Sequence, residues 1–449
     1  MKNYKRRDFI KDSLALASLT ILPLDILSNS KKTMVRTAHI GVGGMGKFDL
    51  DYISSHKNVE VVGLCDIDMD ILKTASKSHP KAKIYKDYRL LLNEMNSQID
   101  AVIVSTPDHT HAPASLMAMK MNKAVYCQKP LTHHVSEARE MLKIAKERNL
   151  VTQMGIQVHS FYDYKLATLL IQSGIIGKVS TVRAWSPKNW GYDGPKPEGN
   201  DPIPKNLEWN LWLGTAPERP YKKNIYHPGM WRKMLDFGCG TLGDMGVHIF
   251  DTPYNALELD VPTTIKNKCR KSNGIGFPEK NHVTYNFPGT KHTTETLKWV
   301  WEDGKGAPRN HKDLKLPNKD KLPNQGAMFI GEKGRLLLPH FMELPKLIVN
   351  GKYKKIDLAS FEESGEITSN PIRDYAKESY IHYHEFIDSC LGKGKCSAPF
   401  SYSSRLTETI LLGVIAGRFP GKILHWDNKS AKFLEQEANN YLSSTYRTF

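Results

Sequence analysis

The sequence predicts an α/β fold in which a doubly wound parallel sheet is followed by a second domain built on a large sheet. Three observations support this fold class. Strand-like and helical patterns alternate up to about residue 155, a glycine-rich turn follows the first strand, and further strand-like runs begin after residue 262. Alternation of strand and helix at this spacing is typical of a parallel sheet covered by helices on both faces. We therefore expect one domain at 35–155 and a second at 156–449.

The hydrophobic pattern places the elements of both domains. In the first domain, strands are predicted at 35–42, 60–65, 100–105, 123–127 and 151–154, and helices at 112–121 and 136–148. In the second domain, strand-like runs lie at 263–271, 282–288, 294–302, 328–338 and 346–356. The segment 305–327, rich in Pro, Gly, Lys and Asn, is predicted as a loop or lid, and helical patterns follow at 373–391 and 403–417.

Residues 1–30 are predicted to be an export signal and not part of the fold. A mostly apolar run at 13–24 follows a basic head, which contains Lys2, Lys5, Arg6 and Arg7. This run is too short to span a bilayer, for which a helix needs about 20 residues. Ser28-Asn-Ser30 suits a cleavage site of small residues. Arg-Arg-x-Phe-Ile-Lys favours twin-arginine export of the folded protein to the periplasm over the alternative, a basic N-terminus on a cytoplasmic enzyme.

Composition and charge limit the kinds of partner that the protein is expected to bind. The chain has 449 residues and a net charge of +16, with Lys and Arg spread along it and without a nucleic-acid-binding motif. We therefore predict no nucleic-acid partner, although a basic surface also suits acidic polysaccharides. No stretch beyond the signal is apolar enough to cross a membrane, so we expect a mature protein without a transmembrane segment. The six cysteines lack Cys-x-x-Cys and finger spacing, which favours buried thiols.

A dinucleotide fingerprint follows the first strand, as Gly41-Val-Gly43-Gly44-Met45-Gly46. Gly41 permits the tight turn, Gly43 lets the backbone approach a diphosphate, and Gly46 allows close packing of the next helix. The free amides at the start of that helix favour the phosphate charges. Asp66 ends the second strand, 20 residues after Gly46, where a carboxylate accepts hydrogen bonds from a ribose diol and repels a 2′-phosphate. The pattern predicts NAD as cofactor, in preference to NADP.

Three side chains form a candidate catalytic set. Lys129 follows the strand 123–127, and a helix from about residue 241 would place Asp244 and His248 on one face. In oxidation of a secondary alcohol, His248 takes the hydroxyl proton, Lys129 stabilises the developing alkoxide, and Asp244 orients a hydroxyl or the imidazole. Each residue could instead have a purely structural role: Lys129 as a surface cation, Asp244 as a helix cap and His248 as a buried core histidine. A metal site at Asp244, His248 and Asp251 lacks a convincing third ligand on the same face, so no metal is predicted.

The second domain carries an aromatic segment at 185–231, which contains five of the eight Trp residues. Aromatic faces stack on the apolar faces of sugar rings, which predicts a carbohydrate site. Trp209 and Trp212 are expected to pack the loop onto its domain. The candidates for lining the pocket are Trp190, Tyr226, His227, Trp231 and Arg232, together with Gln157 and His159 just past the first domain.

These residues, in this order and spacing, resemble the glucose-fructose oxidoreductase / inositol dehydrogenase / MocA (Gfo/Idh/MocA) family, and the N-terminal segment resembles its exported twin-arginine subgroup. The resemblance runs from about residue 35 to the end and rests on the glycine turn, Asp66, Thr106-Pro107 with His109 and His111, Lys129-Pro130, and Asp244-x-x-x-His248. It implies a Rossmann domain, then an α/β domain whose large, mostly antiparallel sheet carries the sugar site.

The family resemblance also implies roles for single residues. It assigns catalysis to Lys129, Asp244 and His248, and adds Thr106, Pro107, His111 and Lys129 to the NAD site. Helices at 373–417 are implied to pack back on the first domain, and a homo-oligomer to form through the open face of the second sheet. One departure is clear: the family usually has Glu before Lys-Pro, and this chain has Gln128.

Two functions agree with these features. The first is an oxidoreductase that acts on a secondary hydroxyl of a sugar or glycoside and recycles tightly bound NAD in each turnover. The second is a redox-neutral glycoside hydrolase, which oxidises, eliminates, hydrates and reduces, and which needs a further base such as His159, His227 or Tyr226. A non-enzymatic sugar sensor is disfavoured, because the presence of Lys129, Asp244 and His248 together would then be a coincidence. A dehydrogenase that exchanges free NAD fits only a protein that is not exported.

Overall fold

The computed structural model describes residues 33–340, 342–359 and 374–449. The predicted signal, 1–30, lies outside these ranges. The N-terminal sheet has six parallel strands in the order β3-β2-β1-β4-β5-β6. Its strands are β1 Val35–Ile40, β2 Val59–Cys65, β3 Lys83–Tyr85, β4 Ala101–Val104, β5 Ala124–Gln128 and β6 Thr152–Gly155. This order is that of a dinucleotide-binding doubly wound sheet, which confirms the predicted fold class of the first domain.

Five helices connect these strands: α1 Met45–Ser54, α2 Met69–Ser78, α3 Tyr88–Glu94, α4 Asp108–Lys120 and α5 Val135–Glu147. The central strands β1 and β4 are almost fully buried, and β4 is apolar throughout, as expected for a parallel sheet with both faces covered. α2 begins where the Asp68 side chain accepts hydrogen bonds from the amides of Asp70 and Ile71. Such caps satisfy amides that have no partner within the helix.

The second sheet has ten strands in the order β14-β13-β12-β11-β7-β10-β9-β8-β15-β16. β7 and β10 are parallel at its centre and every other pair is antiparallel, which confirms the mostly antiparallel sheet. The strands are β7 Val179–Ser186, β8 Thr264–Lys268, β9 His282–Pro288, β10 Thr293–Asp303, β11 Gly326–Gly331, β12 Arg335–Pro339, β13 Lys346–Val349, β14 Lys352–Lys354, β15 Ile423–Asp427 and β16 Lys432–Phe433.

Two of the strand-like runs contain a reversal of the chain. The run 328–338 includes most of the antiparallel pair β11 and β12, and the run 346–356 includes β13 and β14. Asn350 and Gly351 join the second pair, with φ angles of 50° and 71°. Positive φ at both central residues is the requirement of a tight hairpin turn, for which Asn-Gly is the preferred sequence.

The remaining helices are α6 Tyr162–Gln172, α7 Trp209–Leu213, α8 Val247–Ala256, α9 Tyr375–Cys390 and α10 Phe400–Ala416. The last two pack against the first domain. Tyr383 of α9 donates a hydrogen bond to Asp49 of α1, and Glu408 of α10 is paired with Arg139 of α5. Within the described ranges α10, with 17 residues, is the longest helix, and no helix there is long and apolar enough to cross a bilayer.

Candidate active site

A cavity of about 520 Å³ lies at the carboxyl ends of the parallel strands. This is the edge at which open α/β sheets bind their ligands. The second domain closes it through the segments 227–232 and 211–212 and through His248. Fourteen of the residues predicted for the cofactor or substrate site line it: Gly41, Gly43, Gly44, Met45, Asp66, Thr106, Pro107, His111, Lys129, Gln157, His227, Trp231, Arg232 and His248.

The glycine turn has the shape that a dinucleotide requires. Gly41 has a φ of 83°, and a Cβ there would lie 2.5 Å from the carbonyl oxygen of Ser105. A Cβ on Gly46 would lie 2.2 Å from the carbonyl oxygen of Gly41, so only glycine lets α1 start this close to β1. Gly46 therefore packs behind the turn and does not line the cavity. Gly44 has open space at its Cβ position, which leaves the α1 amides accessible to a diphosphate.

Asp66 lies at the end of β2, on the same cavity. Its Oδ2 accepts a hydrogen bond from the amide of Val42 at 2.9 Å, and its Oδ1 accepts one from Asp68 at 3.0 Å. Burial raises the pKa of this carboxyl, although these amide donors oppose the shift. The amides hold the carboxylate in place while it faces the cavity. This position fits the predicted hydrogen bonds to the ribose diol of NAD.

Lys129 and Asp244 form a partly buried ion pair. The Lys129 Nζ lies 2.9 Å from Asp244 Oδ1 and 3.1 Å from the Asp244 carbonyl oxygen. Arg232 Nε is 3.4 Å from the same Oδ1, and Trp190 Nε1 donates to Oδ2 at 2.6 Å. Burial alone would raise the pKa of Asp244, but the Lys129 and Arg232 cations outweigh it and hold that pKa well below its usual range. Asp244 is therefore a carboxylate that orients Lys129.

His248 enters the cavity from the start of α8. The preceding residues, Leu242–Gly246, form a π-helical turn, so the predicted helix starts near residue 241 but is wider than an α-helix. Such turns occur often at functional sites. Burial lowers the pKa of His248 well below its usual value, and the charge of Lys129 lowers it further. The buried His248 Nδ1 has no hydrogen-bond partner among the described residues. A neutral imidazole that lines the cavity can accept a proton from a substrate.

Four predicted substrate residues do not line this cavity: Asp244, which contacts Lys129, and also His159, Tyr226 and Trp190. His159 Nδ1 lies 2.9 Å from Asp251 Oδ1, and its ring is 5.0 Å from that of Tyr402. Tyr226 is buried in an aromatic cluster, where its ring is 5.9 Å from Trp209. Trp190 contacts residues of the site through its hydrogen bond to Asp244 and through the guanidinium of Arg232, 5.8 Å from its ring. These positions result from burial of large rings and of an ion pair, which residue type and spacing do not predict.

The aromatic segment is divided between packing and the cavity. Trp209 and Trp212 stack at 4.8 Å, and Trp209 packs within the segment as expected. Trp212, in contrast, lines the cavity, which corrects its expected role as packing alone. Arg232 lies 4.2 Å over the ring of Trp231, and both line the cavity. The wall opposite the glycine turn is therefore aromatic and cationic.

A buried polar network explains why residue 128 is a glutamine and not a glutamate. Gln128 Nε2 donates to both carboxylate oxygens of Asp49, at 2.9 and 3.0 Å. Tyr383 and Ser105 also donate to this carboxylate, and Gln157 Nε2 donates to the Tyr383 hydroxyl at 2.8 Å. Burial raises the pKa of Asp49 to about 6. A glutamate at 128 would place a second carboxylate against Asp49, whereas an amide donates to it.

Asp108 is a cavity residue that sequence reasoning missed. It lies at the first position of α4, and its Oδ2 accepts a hydrogen bond from the amide of Cys239 at 3.0 Å. Burial raises the pKa of Asp108 to about 7, against the opposing charges of Arg232 and Lys129. Its position directly after Thr106-Pro107 is the sequence feature that could have identified it as a site residue. No group of three His, Cys, Asp or Glu side chains within the described ranges could hold a metal ion.

Comparison with protein families matches both domains. Residues 35–156 match an oxidoreductase family described as an NAD-binding Rossmann fold, and residues 164–286 match the C-terminal alpha/beta domain of the same oxidoreductase family. The two matched segments together cover more than half of the chain. They contain the glycine turn, Asp66, Lys129, Asp244 and His248.

Individual relatives match less of the chain. A glycosyl hydrolase family 109 protein of Stenotrophomonas maltophilia is 29% identical over 191 residues, 40% of this chain and 41% of the relative. A levoglucosan dehydrogenase of Pseudarthrobacter phenanthrenivorans is 25% identical over 194 residues, 42% of each chain. The chain thus spans less than half of the length of these curated relatives.

Solved structures show the fold over a longer stretch. A levoglucosan dehydrogenase in complex with NADH and L-sorbose has a TM-score of 0.61 at 15% identity, covering 88% of this chain and 100% of that one. The fingerprint turn, the Asp66 carboxylate and these matches confirm the prediction of NAD as cofactor. The chain belongs to the Gfo/Idh/MocA family of oxidoreductases, and its first domain is an NAD-binding Rossmann domain.

Proposed function

We propose that this protein is an NAD-dependent oxidoreductase that acts on a secondary hydroxyl of a sugar or glycoside. One observation carries the proposal: the Lys129 ammonium, fixed by the Asp244 carboxylate at 2.9 Å, lies on the same cavity as a neutral His248 and the dinucleotide turn. A cation and a base beside a nicotinamide site are the groups that alcohol oxidation requires.

The roles of the three residues follow from their charges. NAD, when bound, accepts the hydride from the substrate carbon. His248 is neutral and lines the cavity, so it can take the hydroxyl proton. Lys129 stabilises the negative charge that develops on the hydroxyl oxygen, and Asp244 holds its ammonium in position. The low exposure of the pair strengthens this interaction, because little water screens it.

The substrate class is inferred from the cavity wall. Trp212, Trp231 and Arg232 offer faces for an apolar sugar surface and a donor for hydroxyl groups. The similarity to a levoglucosan dehydrogenase and the solved complex with L-sorbose support a carbohydrate. We further propose that NAD stays bound and is recycled in each turnover by a second sugar or by the same one.

The test uses protein purified without added cofactor. Absorbance at 340 nm is followed while free sugars and glycosides are offered one at a time. We expect bound NAD to be reduced by one class of sugar and reoxidised by a second sugar. Protein that arrives without NAD and turns over only with added NAD would contradict the recycling step. Protein that binds NAD and gives no signal with any polyol or sugar would contradict the proposed reaction.

A second candidate is a redox-neutral NAD-dependent glycoside hydrolase. Such an enzyme needs a further proton acceptor near the substrate, and Asp108 lines the cavity with its pKa raised by burial to about 7. The similarity to a glycosyl hydrolase family 109 protein supports the same candidate. Aryl glycosides separate the two functions. Release of the aryl group without net NADH, lost in Asp108→Asn but not in the variant of an exposed carboxylate, Asp70→Asn, would favour hydrolysis.

Location and assembly are proposed from the sequence and the family. We propose export by the twin-arginine route to the periplasm, because Arg6 and Arg7 precede a short apolar run. Lysine at both arginine positions should retain the protein in the cytoplasm of a host with that route, and unchanged fractionation would contradict export. The family also suggests a homo-oligomer through the second sheet, which sedimentation of the mature protein tests.

A further inference from the structure

The segment 442–449, called the strap below, runs from α5 of the first domain, past the segment 210–216 of the second domain, to α3 of the first domain. It starts beside α5, where the amide of Ser136 donates to the Leu442 carbonyl oxygen at 3.0 Å. Tyr446 donates from its hydroxyl to Glu137 Oε1 at 2.6 Å. The strap then passes the segment 210–216 and reaches Phe449, whose ring is among the residues that line the cavity.

Arg447 fastens the strap. Its amide donates to the Thr215 carbonyl oxygen at 3.1 Å, and its Nε donates to those of Gly214 and Ala216 at 3.2 and 3.1 Å. Its Nη1 and Nη2 donate to the side chain and main chain of Asn210 at 2.7 and 3.0 Å. One guanidinium therefore satisfies four acceptors on the segment that also supplies Leu211 and Trp212 to the cavity. This set of bonds defines the path of the last residues.

Phe449 is held on its other side by α3. The Arg89 guanidinium lies 4.0 Å from the centre of the Phe449 ring and also donates to its main-chain oxygen. Arg89 is itself held by Asp87, which lines the cavity beside Tyr88. The ring thus has a cation on one side and the cavity on another, an arrangement that fixes its orientation.

The sheet order shows which end of the cavity the ring occupies. Asp66 follows β2, and Asp87 and Tyr88 follow β3, at one edge of the sheet. Lys129 follows β5, toward the opposite edge, and carries the proposed chemistry. A dinucleotide whose diphosphate lies at the start of α1 must place its nicotinamide toward Lys129 and its adenosine toward Asp66. Phe449 therefore lies at the adenosine end.

We propose that the strap is an adenine clamp, in which the Phe449 ring stacks on the base of bound NAD and Arg447 holds the strap closed over it. Every nucleobase offers a flat face to an aromatic ring, and stacking needs no matched donors. Closing the adenosine end slows the release of NAD, which is what a recycled cofactor needs. The inference depends on NAD binding by the Rossmann domain and not on which sugar reaction the protein performs.

The test measures binding without any sugar. Protein is freed of nucleotide, and dissociation constants are measured by calorimetry for NAD, for ADP-ribose and for nicotinamide mononucleotide. Phe449→Ala should lower the affinity for NAD and for ADP-ribose about 10-fold, or ~1.4 kcal/mol, and accelerate NAD release by a similar factor. The mononucleotide, which lacks adenine, should bind unchanged. Phe449→Leu keeps apolar bulk but removes the aromatic face, so it should weaken NAD and ADP-ribose binding less than Phe449→Ala does.

Arg447→Ala tests the fastening separately. It should lower the affinity for NAD and ADP-ribose as Phe449→Ala does. The double variant with Phe449→Ala should lose little more affinity, because both changes remove the same ring from the base. Tyr441→Ala, an exposed aromatic that precedes the strap and does not line the cavity, is the matched control and should bind all three ligands normally.

Circular dichroism and thermal unfolding establish that each variant is folded. Unchanged NAD release in folded Phe449→Ala and Arg447→Ala would overturn the clamp. Equal weakening of ADP-ribose and of the mononucleotide would also overturn it, because the effect would then not be at the adenine. Tighter NAD binding after removal of the ring would show that Phe449 obstructs the site. Failure of the sugar reaction alone leaves all of these binding results unaffected.

Discussion

Lys129 and Asp244 lie 115 positions apart in sequence, and their Nζ and Oδ1 atoms are 2.9 Å apart in the folded protein. Their side chains are only 14% and 11% exposed, so water screens the pair weakly. The pair joins the end of β5 in the first domain to the π-helical turn of the second. The proposed catalytic cation is thus oriented by a carboxylate from the other domain.

Removal of the Lys129 charge should abolish the reaction and preserve the cofactor site. We expect Lys129→Met to lower kcat about 10²- to 10⁴-fold, because the developing alkoxide loses its cation. NAD should bind nearly normally, which calorimetry checks. The buried Asp244 carboxylate loses a partner, so stability should fall by about 3 kcal/mol in urea unfolding. The exposed Lys143→Met is the control, and full activity of Lys129→Met would refute the assigned role.

Replacement of Gln128 by glutamate should destabilise the protein in a pH-dependent way. In Gln128→Glu two carboxylates meet where the amide now donates to Asp49 at 2.9 and 3.0 Å. We expect a loss of about 2–3 kcal/mol at pH 8 and a smaller loss at pH 5, where the pair shares a proton. Asp49→Asn combined with Gln128→Glu exchanges donor and acceptor and should recover most of the stability. An equal loss at both pH values would contradict this explanation.

Asp66 should determine the preference for NAD over NADP. In Asp66→Ala the ribose diol loses a charged acceptor, so NAD affinity should fall about 10- to 100-fold (~1.5–3 kcal/mol). Affinity for NADP should rise or stay constant, since the repulsion of the 2′-phosphate disappears. Calorimetry with both dinucleotides measures the ratio. Asp70→Ala, an exposed carboxylate on α2, should leave it unchanged, and a wild-type preference for NADP would contradict the prediction.

His39 should make the folded state sensitive to acid. Burial lowers its pKa to about 3, while the unfolded chain protonates this side chain near pH 6.5. As pH falls below about 6.5 the unfolded chain gains a proton that the folded chain does not, so the wild type loses stability relative to His39→Leu. The difference should reach about 2 kcal/mol at pH 5. Urea unfolding at several pH values checks it, with the exposed His425→Gln as control.

Local pattern was enough to predict much of the fold. The parallel sheet and the NAD fingerprint depend on short segments, in which strand, glycine turn and helix follow each other within about 15 residues of Val35. Gly46 is required by a contact with Gly41, near in sequence, and Gly41 by a contact with Ser105, which follows the neighbouring strand β4 of the same sheet. Lys129 could be named because it follows a buried strand of the same sheet. These features need no knowledge of the path of the rest of the chain.

Tertiary structure decided which side chains complete the site. It brings Asp49 to Gln128 and brings Asp108 and Phe449 to the cavity. It also turns His159 toward Asp251, outside the cavity. Spacing along the chain sets the periodicity of each element, but contacts between distant elements depend on how the two domains pack. The sequence by itself determined the cofactor and the candidate reacting residues, and only packing determined their partners and charge states.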